Sequence, residues 1–252
     1  MRYIDAVKNS LQYTFSNIPM LLGLGLLSLL LVAFFQFYKS PINSITYILV
    51  GTIIIGFFMK AIRDGIFHNT KMPKINIKLS FIEGIKVYLV NCIYYFIPFG
   101  VFIIISFFFH VKFISVDGFV ELFILDIIGF STEFIIPLEN IHPVVMIFST
   151  ISTIFCSIGV ARLAKTKKVT KAIDIIGTIN DMTIMKFDFL KWLITSGLVI
   201  WATFEICLYM LDISIFMIIP VYLIIFPIYN IFIYNLLGQF YKENVLIRDI
   251  MI

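Results

Sequence analysis

The sequence is poor in charge and in cysteine. Only 13% of its 252 residues are Asp, Glu, Lys or Arg, whereas 61% are hydrophobic, and the mean hydropathy is +1.04. Soluble domains are usually about a quarter charged and about half apolar. The composition therefore excludes an ordinary soluble domain. It predicts an all-α, multi-pass integral membrane protein that forms a single membrane domain over residues 1–252.

The residues that usually carry catalysis or bind metal are scarce and scattered. The odd number of cysteines does not suit a full disulfide set, and Cys92, Cys156 and Cys207 all lie in apolar runs, where they act as packing residues. The three histidines lack the spacing of metal ligands. No HExxH motif, phosphate-binding glycine loop or nucleophile elbow is present. We therefore expect a protein that is not an enzyme and has no cofactor or metal.

Six apolar segments are long enough to cross a membrane as helices. About twenty apolar residues cross the hydrocarbon core of a bilayer, and a helix satisfies its own backbone hydrogen bonds there. The predicted spans are 19–38, 42–61, 87–109, 144–163, 189–211 and 215–237.

The basic residues predict which way the spans run. All nineteen Lys and Arg residues except Lys39 and Lys112 fall on one side of the six predicted spans. Because Lys and Arg concentrate in cytoplasmic loops, both termini are expected in the cytoplasm, with the chain in the plasma membrane. The same basic residues flank spans and form no groove, so we expect contact with anionic lipid headgroups and no nucleic-acid binding.

Residues 113–140 are apolar but carry five acidic residues. A seventh span here would move the following lysine-rich loop to the outer side, so the segment is not assigned as one. We expect either an outer interfacial helix or a re-entrant cap.

An acidic residue followed three positions later by Lys occurs just before each outward-running span. These pairs are Asp5–Lys8, Glu83–Lys86 and Asp188–Lys191, and they are expected to anchor the chain at the cytoplasmic interface. The segments that they begin have similar lengths once residues 113–140 are removed. The pattern indicates three parallel two-span repeats at about 1–78, 79–171 and 172–252. Three independent anchors are the alternative.

Two segments have the pattern of an amphipathic helix lying in the membrane interface. In the first, Ile4, Val7, Leu11 and Phe15 share a face opposite Asp5, Lys8 and Gln12. In the second, Ala172, Ile175, Ile176 and Ile179 lie opposite Asp174 and Asn180.

The stretch GFFMKAIRDGIFHNTKMPKINIKLSFIEGIKVYLVNCIYYFIP, residues 56–98, resembles the domain of unknown function 4013, a family of bacterial and archaeal membrane proteins. The resemblance lies in Gly56, Lys60, Arg63, Pro73, Phe81, Gly84, Lys86, Ile93, Tyr94 and Pro98. SLQYTFSNIPMLL and YNLLGQFYKE also look like the ends of that family. The stretch KINIKLSF after Pro73 departs from the acidic and aromatic residues usual there. The resemblance implies a membrane protein of several spans and supplies no activity.

Glu205 is an acidic residue inside a predicted span, which marks it as a candidate functional residue. It follows Lys191 by fourteen residues, or about 21 Å along a helix, which places it in the outer half of the bilayer. Its expected partner is Lys39, Lys112 or His110. The alternative is a protonated or tyrosine-bonded glutamate that holds two helices together.

Four further candidates are polar or proline positions in spans: Asn91, Asn230, Pro220 and Pro227. Proline frees a backbone carbonyl, and such breaks line binding sites in transporters; a kinked packing helix is the alternative.

Two functions fit these features. The first is a non-enzymatic scaffold, assembly factor or organiser of lipids or envelope proteins that has a membrane protein partner. The second is a small-solute or lipid transporter with its site between the repeats, near Glu205.

Overall fold

The computed structural model describes residues 3–37, 41–109 and 143–242, and this part of the chain is helical without strands. We number the α-helices in chain order. They are α1 Tyr3–Thr14, α2 Ile18–Phe37, α3 Pro41–Ile66, α4 Ile77–Phe109, α5 Pro143–Thr166, α6 Val169–Ala172, α7 Ile175–Ile213, α8 Ile218–Pro220 and α9 Phe226–Tyr241. Residues 113–140, for which an interfacial or re-entrant segment is predicted, lie outside the described residues.

The predicted spans coincide with helices or, for the last one, with a series of helical segments. Two parts of the described chain, Ile175–Ile213 and Ile218–Tyr241, are long and apolar enough to cross a membrane. A third is added if α1 and the first part of α2 count as one broken span. These apolar helices fit an integral membrane protein. The number of six spans stays a prediction.

The first helix lies at an angle of 77° to the start of α2. Its predicted apolar face is exposed, because Ile4, Leu11 and Phe15 are 73%, 43% and 50% accessible. The buried face instead consists of Ala6, Ser10 and Tyr13. The bend and the exposed apolar face are those expected of a helix lying in the interface, while its contacts with the protein run through small and polar residues.

The second and third acid–lysine pairs lie inside long helices. Helix α4 runs for 33 residues through Glu83 and Lys86 into the predicted span. Helix α7 runs for 39 residues but is kinked at Lys186, whose φ is 38°. Before its start, Asp174 accepts a hydrogen bond from the Gly177 backbone N–H, which caps the helix. A kink therefore separates the predicted span 189–211 from the helical segment before it, whereas the predicted span 87–109 continues an unbroken helix.

The last predicted span is helical from Ile218 to Tyr241 and widens to a π-helix between its two prolines. Helix α8 ends at Pro220 and a π-helix occupies Val221–Ile225 before α9 begins. Pro227 has no N–H to bond with the Leu223 carbonyl four residues earlier. That carbonyl oxygen lies directly against Gly25 of α2, where a side chain would collide with it. The carbonyl that Pro227 cannot bond is therefore covered by a close helix contact.

The chain forms two compact units. Unit 1 comprises residues 1–84 and 180–252, and its core contains fully buried apolar side chains such as Leu24, Phe57 and Ile62. Unit 2 comprises residues 85–179, and its core contains Val90, Ile158 and Leu163.

Candidate functional site

A cluster of buried polar side chains joins α1, α3 and α9 in unit 1. Ser10 donates from its Oγ to Oδ1 of Asn235 at 3.1 Å, and Gln239 donates from its Nε2 to both groups at 2.9 and 2.8 Å. Asn235 in turn donates to the backbone carbonyl of Ala61 at 3.1 Å. We call these residues, Ser10, Ala61, Asn235 and Gln239, the amide cluster.

Glycine allows the helices of the amide cluster to come this close. Gly238 of α9 lies against the backbone carbonyl of Ile62, and Gly65 of α3 lies against that of Asn235. A methyl group at either position would collide with backbone atoms of the other helix. Two small residues facing each other bring helix backbones into contact, so side-chain amides reach neighbouring carbonyls.

A buried carboxylate lies beside this cluster in α3. Asp64 accepts a hydrogen bond from the Tyr13 hydroxyl at 2.6 Å and one from Nδ2 of Asn69 at 2.7 Å. Burial, and then the neighbouring Asp64 carboxylate, raise the pKa of the Tyr13 phenol above its ordinary value of 10.0. Tyr13 therefore stays protonated and acts as a donor that ties α1 to α3.

A second tyrosine–aspartate pair joins α9 to α7. The Tyr241 hydroxyl donates to Oδ2 of the buried Asp181 at 2.6 Å. Further along the same two helices, the Trp192 indole N–H donates to the backbone carbonyl of Ile233 at 3.1 Å. Polar contacts therefore fix α9 against α1, α3 and α7.

The predicted anchors differ in their surroundings. Asp188 and Lys191 form an ion pair at 2.7 Å, Asp5 and Lys8 are exposed, and Lys86 is half-buried. Glu83 is buried and forms an ion pair with Arg63 of α3 at 3.3 Å, where both side chains are largely shielded from solvent. Glu83 therefore connects two helices, in addition to its place in the acid–lysine pattern.

Asn91 is a buried contact residue of unit 2. Its Oδ1 accepts a hydrogen bond from the Cys156 thiol, which joins α4 to α5. Nearby, Tyr94 bonds to the Ala172 carbonyl and to the Thr178 hydroxyl, each at 2.7 Å. These contacts give Asn91 a packing environment within its own unit.

The remaining candidates lie in unit 1 in different environments. Glu205 is exposed and has no hydrogen-bond or ion-pair partner among the described residues. Asn230 is buried and donates to the Phe226 carbonyl of its own helix at 2.9 Å. Pro220 and Pro227 flank the π-helix. The residues proposed as partners of Glu205, Lys39, His110 and Lys112, lie outside the described residues.

No three His, Cys, Asp or Glu side chains come together as metal ligands within residues 3–37, 41–109 and 143–242. The chemistry that the described polar groups support is hydrogen bonding between helices.

A family model described as "Protein of unknown function (DUF4013)" matches residues 41–211. The chain belongs to this family. The match leaves out both ends of the chain, for which a resemblance to the family was also expected. No curated protein and no solved structure is significantly similar to the chain.

The Arg63–Glu83 ion pair lies inside the region matched by the DUF4013 model, whereas Ser10, Asn235 and Gln239 lie outside it. Sequence reasoning missed Ser10, Asp64 and Asp181, because none belongs to a catalytic motif or to an acid–lysine pair. One signal was present. Ala6, Ser10 and Tyr13 fall on one face of α1, and such a small and polar face is typical of a helix contact in a membrane.

Proposed function

We propose that the chain is a six-span plasma-membrane protein with both termini in the cytoplasm. It acts as a non-enzymatic scaffold or assembly factor that organises lipids or envelope proteins at the cytoplasmic face. The amide cluster carries this proposal, because its polar side chains bond to one another across three helices. Polar groups used in this way hold helices in a fixed arrangement.

Close backbone contacts support the same fixed arrangement. Gly25, Gly56, Gly65, Gly84 and Gly238 of unit 1 each lie against backbone atoms of another helix. Sliding one of these helices along its neighbour would drive backbone atoms into side chains. A protein that holds partners in place benefits from such rigidity, whereas alternating access requires bundles that move against each other.

The three-repeat organisation is part of the proposal. In each repeat, the cytoplasmic end of the second helix contacts the segment that begins the next repeat, and the last repeat contacts the first in this way. Arg63 pairs with Glu83, Arg162 pairs with Asp174 at 3.5 Å, and Gln239 bonds to Ser10. Each returning helix also has a glycine in a tight contact shortly before its last basic residue: Gly56, Gly159 and Gly238. The partners differ, but a contact at the same point of each unit supports repeats over independent anchors.

Basic side chains at the proposed cytoplasmic face supply the lipid contacts. Exposed lysines follow α3 and α5, among them Lys71, Lys74, Lys167, Lys168 and Lys171. A Lys near a membrane surface contributes about 1 kcal/mol of attraction to anionic headgroups. The exposed apolar face of α1 adds burial in the interface.

A transporter with its site near Glu205 is the alternative, and the π-helix at Val221–Ile225 is the feature that favours it. Against it, Gly25 fills the space at the Leu223 carbonyl, and Asn230 bonds to its own helix. Glu205 is exposed while Asn230 is buried, so their surroundings in unit 1 differ.

Native mass spectrometry of the gently extracted protein separates the two functions. The scaffold predicts a co-purifying membrane protein at fixed stoichiometry. A stoichiometric small molecule that disappears in Asn230→Ala, with no accompanying protein, would instead favour the transporter. Leu26→Ile, a conservative change at an exposed position of α2, serves as the control variant.

A further inference from the structure

Three non-glycine residues in the described part of the chain have a positive φ, and all three are basic. They are His68 at 55°, Lys167 at 60° and Lys186 at 38°. In this left-handed region the Cβ atom of an L-residue lies too close to the backbone, so glycine is the residue usually found there. Strained backbone of this kind concentrates at sites that bind or switch.

Lys167 lies at a helix end where glycine is the usual residue. Helix α5 ends at Thr166, and the N–H of Lys167, the next residue, donates to the Leu163 carbonyl at 2.8 Å. This bond and the φ of 60° form the αL motif of helix ends, in which glycine is preferred. The chain therefore keeps a lysine side chain where glycine would give the more stable helix end.

The first proposed repeat has a similar helix end after α3. The backbone hydrogen bonds around His68 form a Schellman motif, with His68 in the usual glycine position. His68 follows Arg63 by five residues in the sequence. Lys167 follows Arg162, the corresponding arginine, at the same distance. Two corresponding helix ends therefore accept backbone strain and keep a basic side chain.

Lys167 belongs to a group of basic side chains in the segment after α5. We call Lys167, Lys168 and Lys171, which are all exposed, the lysine triad. Residues 162–174 contain five Lys or Arg residues and one acidic residue, so the net charge of this segment is +4. The acidic residue, Asp174, forms an ion pair with Arg162 at 3.5 Å. The segment therefore presents positive charge at its surface.

Hydrogen bonds hold the backbone of the lysine triad in one arrangement. The Lys168 N–H donates to Oγ1 of Thr166 at 3.3 Å. Nε of Arg162 donates to the Lys171 carbonyl at 3.0 Å. Because the backbone is fixed in this way, the three ammonium groups lose less conformational freedom when they gather around one anion.

The lysine triad lies at the level of the lipid headgroups in the proposed membrane arrangement. The predicted span 144–163 ends four residues before Lys167. After the triad, Ile175, Ile176 and Ile179 are 40%, 82% and 45% exposed. Lysines beside exposed apolar side chains are typical of a segment that enters the membrane interface, and basic groups just cytoplasmic of a span attract anionic headgroups. A soluble acidic partner would leave the isoleucines uncovered.

We propose that the lysine triad binds the phosphate of one anionic lipid headgroup, and that Lys167 keeps its strained conformation for this purpose. The inference rests on the lipid contacts of the proposed function and deepens them, because it names one site and the chemistry of its ligand. Lysine binds phosphate as a point charge, and a phosphate has several oxygens that accept hydrogen bonds from separate ammonium groups.

Native mass spectrometry of the purified full chain with added lipid tests the site. The probes are phosphatidylglycerol, which is anionic, and phosphatidylcholine, which has no net charge. Wild type should bind one phosphatidylglycerol with a preference of about tenfold or more. Lys167→Gly should weaken this binding about fivefold, which is the contribution of one lysine near a headgroup. Lys167→Arg keeps the charge and should bind like wild type.

Thermal unfolding separates loss of the site from damage to the fold. Lys167→Gly relieves the backbone strain, so without lipid its melting temperature should be about 2–4 °C above that of wild type. Added phosphatidylglycerol should raise the melting temperature of wild type more than that of Lys167→Gly. Lys74→Gln, which removes an exposed charge from another loop, is the matched control and should change the affinity for lipid by less than about twofold.

Several results would overturn the inference. Equal affinity of wild type for the two lipids, or equal affinity of wild type and Lys167→Gly for phosphatidylglycerol, would exclude the site. An equal loss in Lys74→Gln would indicate general attraction without a site. Displacement of the lipid by inorganic phosphate at the same concentration would indicate a site for the free anion. A lower melting temperature for Lys167→Gly would contradict the strain.

The lipid site and the scaffold fail in different experiments. If Lys167→Gly binds phosphatidylglycerol like wild type while a membrane protein still co-purifies at fixed stoichiometry, the site is wrong and the scaffold stands. If no protein co-purifies but the lipid preference depends on Lys167, the scaffold is wrong and the site stands.

Discussion

The Tyr13 hydroxyl donates a 2.6 Å hydrogen bond to the buried carboxylate of Asp64, across 51 residues of sequence. This bond joins α1 to α3. Asp64 is 5% exposed, so losing the donor leaves a carboxylate oxygen without compensation.

Replacing Tyr13 with Phe should therefore destabilise the protein. The expected loss is about 1–3 kcal/mol, because a buried acceptor loses its partner while the ring is retained. Thermal unfolding of the purified protein measures it. Tyr209→Phe, at a 70% exposed position, should leave the melting temperature unchanged. Equal melting temperatures for Tyr13→Phe and wild type would mean that the bond contributes nothing.

The same bond predicts a dependence on alkaline pH. Burial and Asp64 raise the pKa of Tyr13 in the folded state, whereas in the unfolded chain the phenol titrates near 10. Above that pH the unfolded state releases a proton that the folded state retains, so stability falls as pH rises. The melting temperature of wild type should drop more steeply than that of Tyr13→Phe between about pH 9 and pH 11. Parallel curves would mean that groups other than Tyr13 cause the loss of stability at alkaline pH.

The glycine contacts predict opposite results for two alanine substitutions. Gly238→Ala places a methyl group against the Ile62 carbonyl, and overpacking of this kind costs about 1–3 kcal/mol. Gly23→Ala adds a methyl group with nothing within 4 Å, so it should be neutral or stabilise the helix by up to about 1 kcal/mol. Thermal unfolding of the two variants provides the comparison. A stable Gly238→Ala would show that α3 and α9 are separated by more space than this contact allows.

The Arg63–Glu83 ion pair should matter far more than the Asp188–Lys191 pair. Removing one partner of a buried pair strands the other charge, which costs about 3–5 kcal/mol, so Glu83→Gln should be strongly destabilising. Asp188→Asn, in the more exposed pair, should change stability by less than about 1 kcal/mol. The double variant Arg63→Glu with Glu83→Arg should recover part of the loss. Similar effects of both single changes would contradict the difference in burial.

The positions of the helices could be predicted from the sequence, but their contacts could not. The predicted span 19–38 corresponds to α2 at Ile18–Phe37, because a long apolar run is recognisable without any partner. In α1 the apolar pattern gave weight to Ile4 and Leu11, which are both exposed. It gave no weight to Ser10, whose role depends on Asn235 and Gln239, more than 200 residues later in the sequence.

Whether a helix runs unbroken or is kinked was also difficult to predict. Glu83 and Lys86 lie within an unbroken α4, whereas Lys186 kinks α7, although both segments precede predicted spans. Apolar periodicity is the same for a straight and a bent helix, so the pattern does not distinguish them. Glu205 was identified from its rarity in an apolar run, and its exposure could be learned only from the packing of α7.

Cysteine accessibility in intact cells tests the proposed membrane arrangement most directly. Cys92, Cys156 and Cys207 are first replaced, and single cysteines are then placed at positions 39 and 167. An impermeant thiol reagent added outside should label position 39 alone, and position 167 should react only after the membrane is opened. Labelling of position 167 from outside would contradict the six-span arrangement with both termini in the cytoplasm.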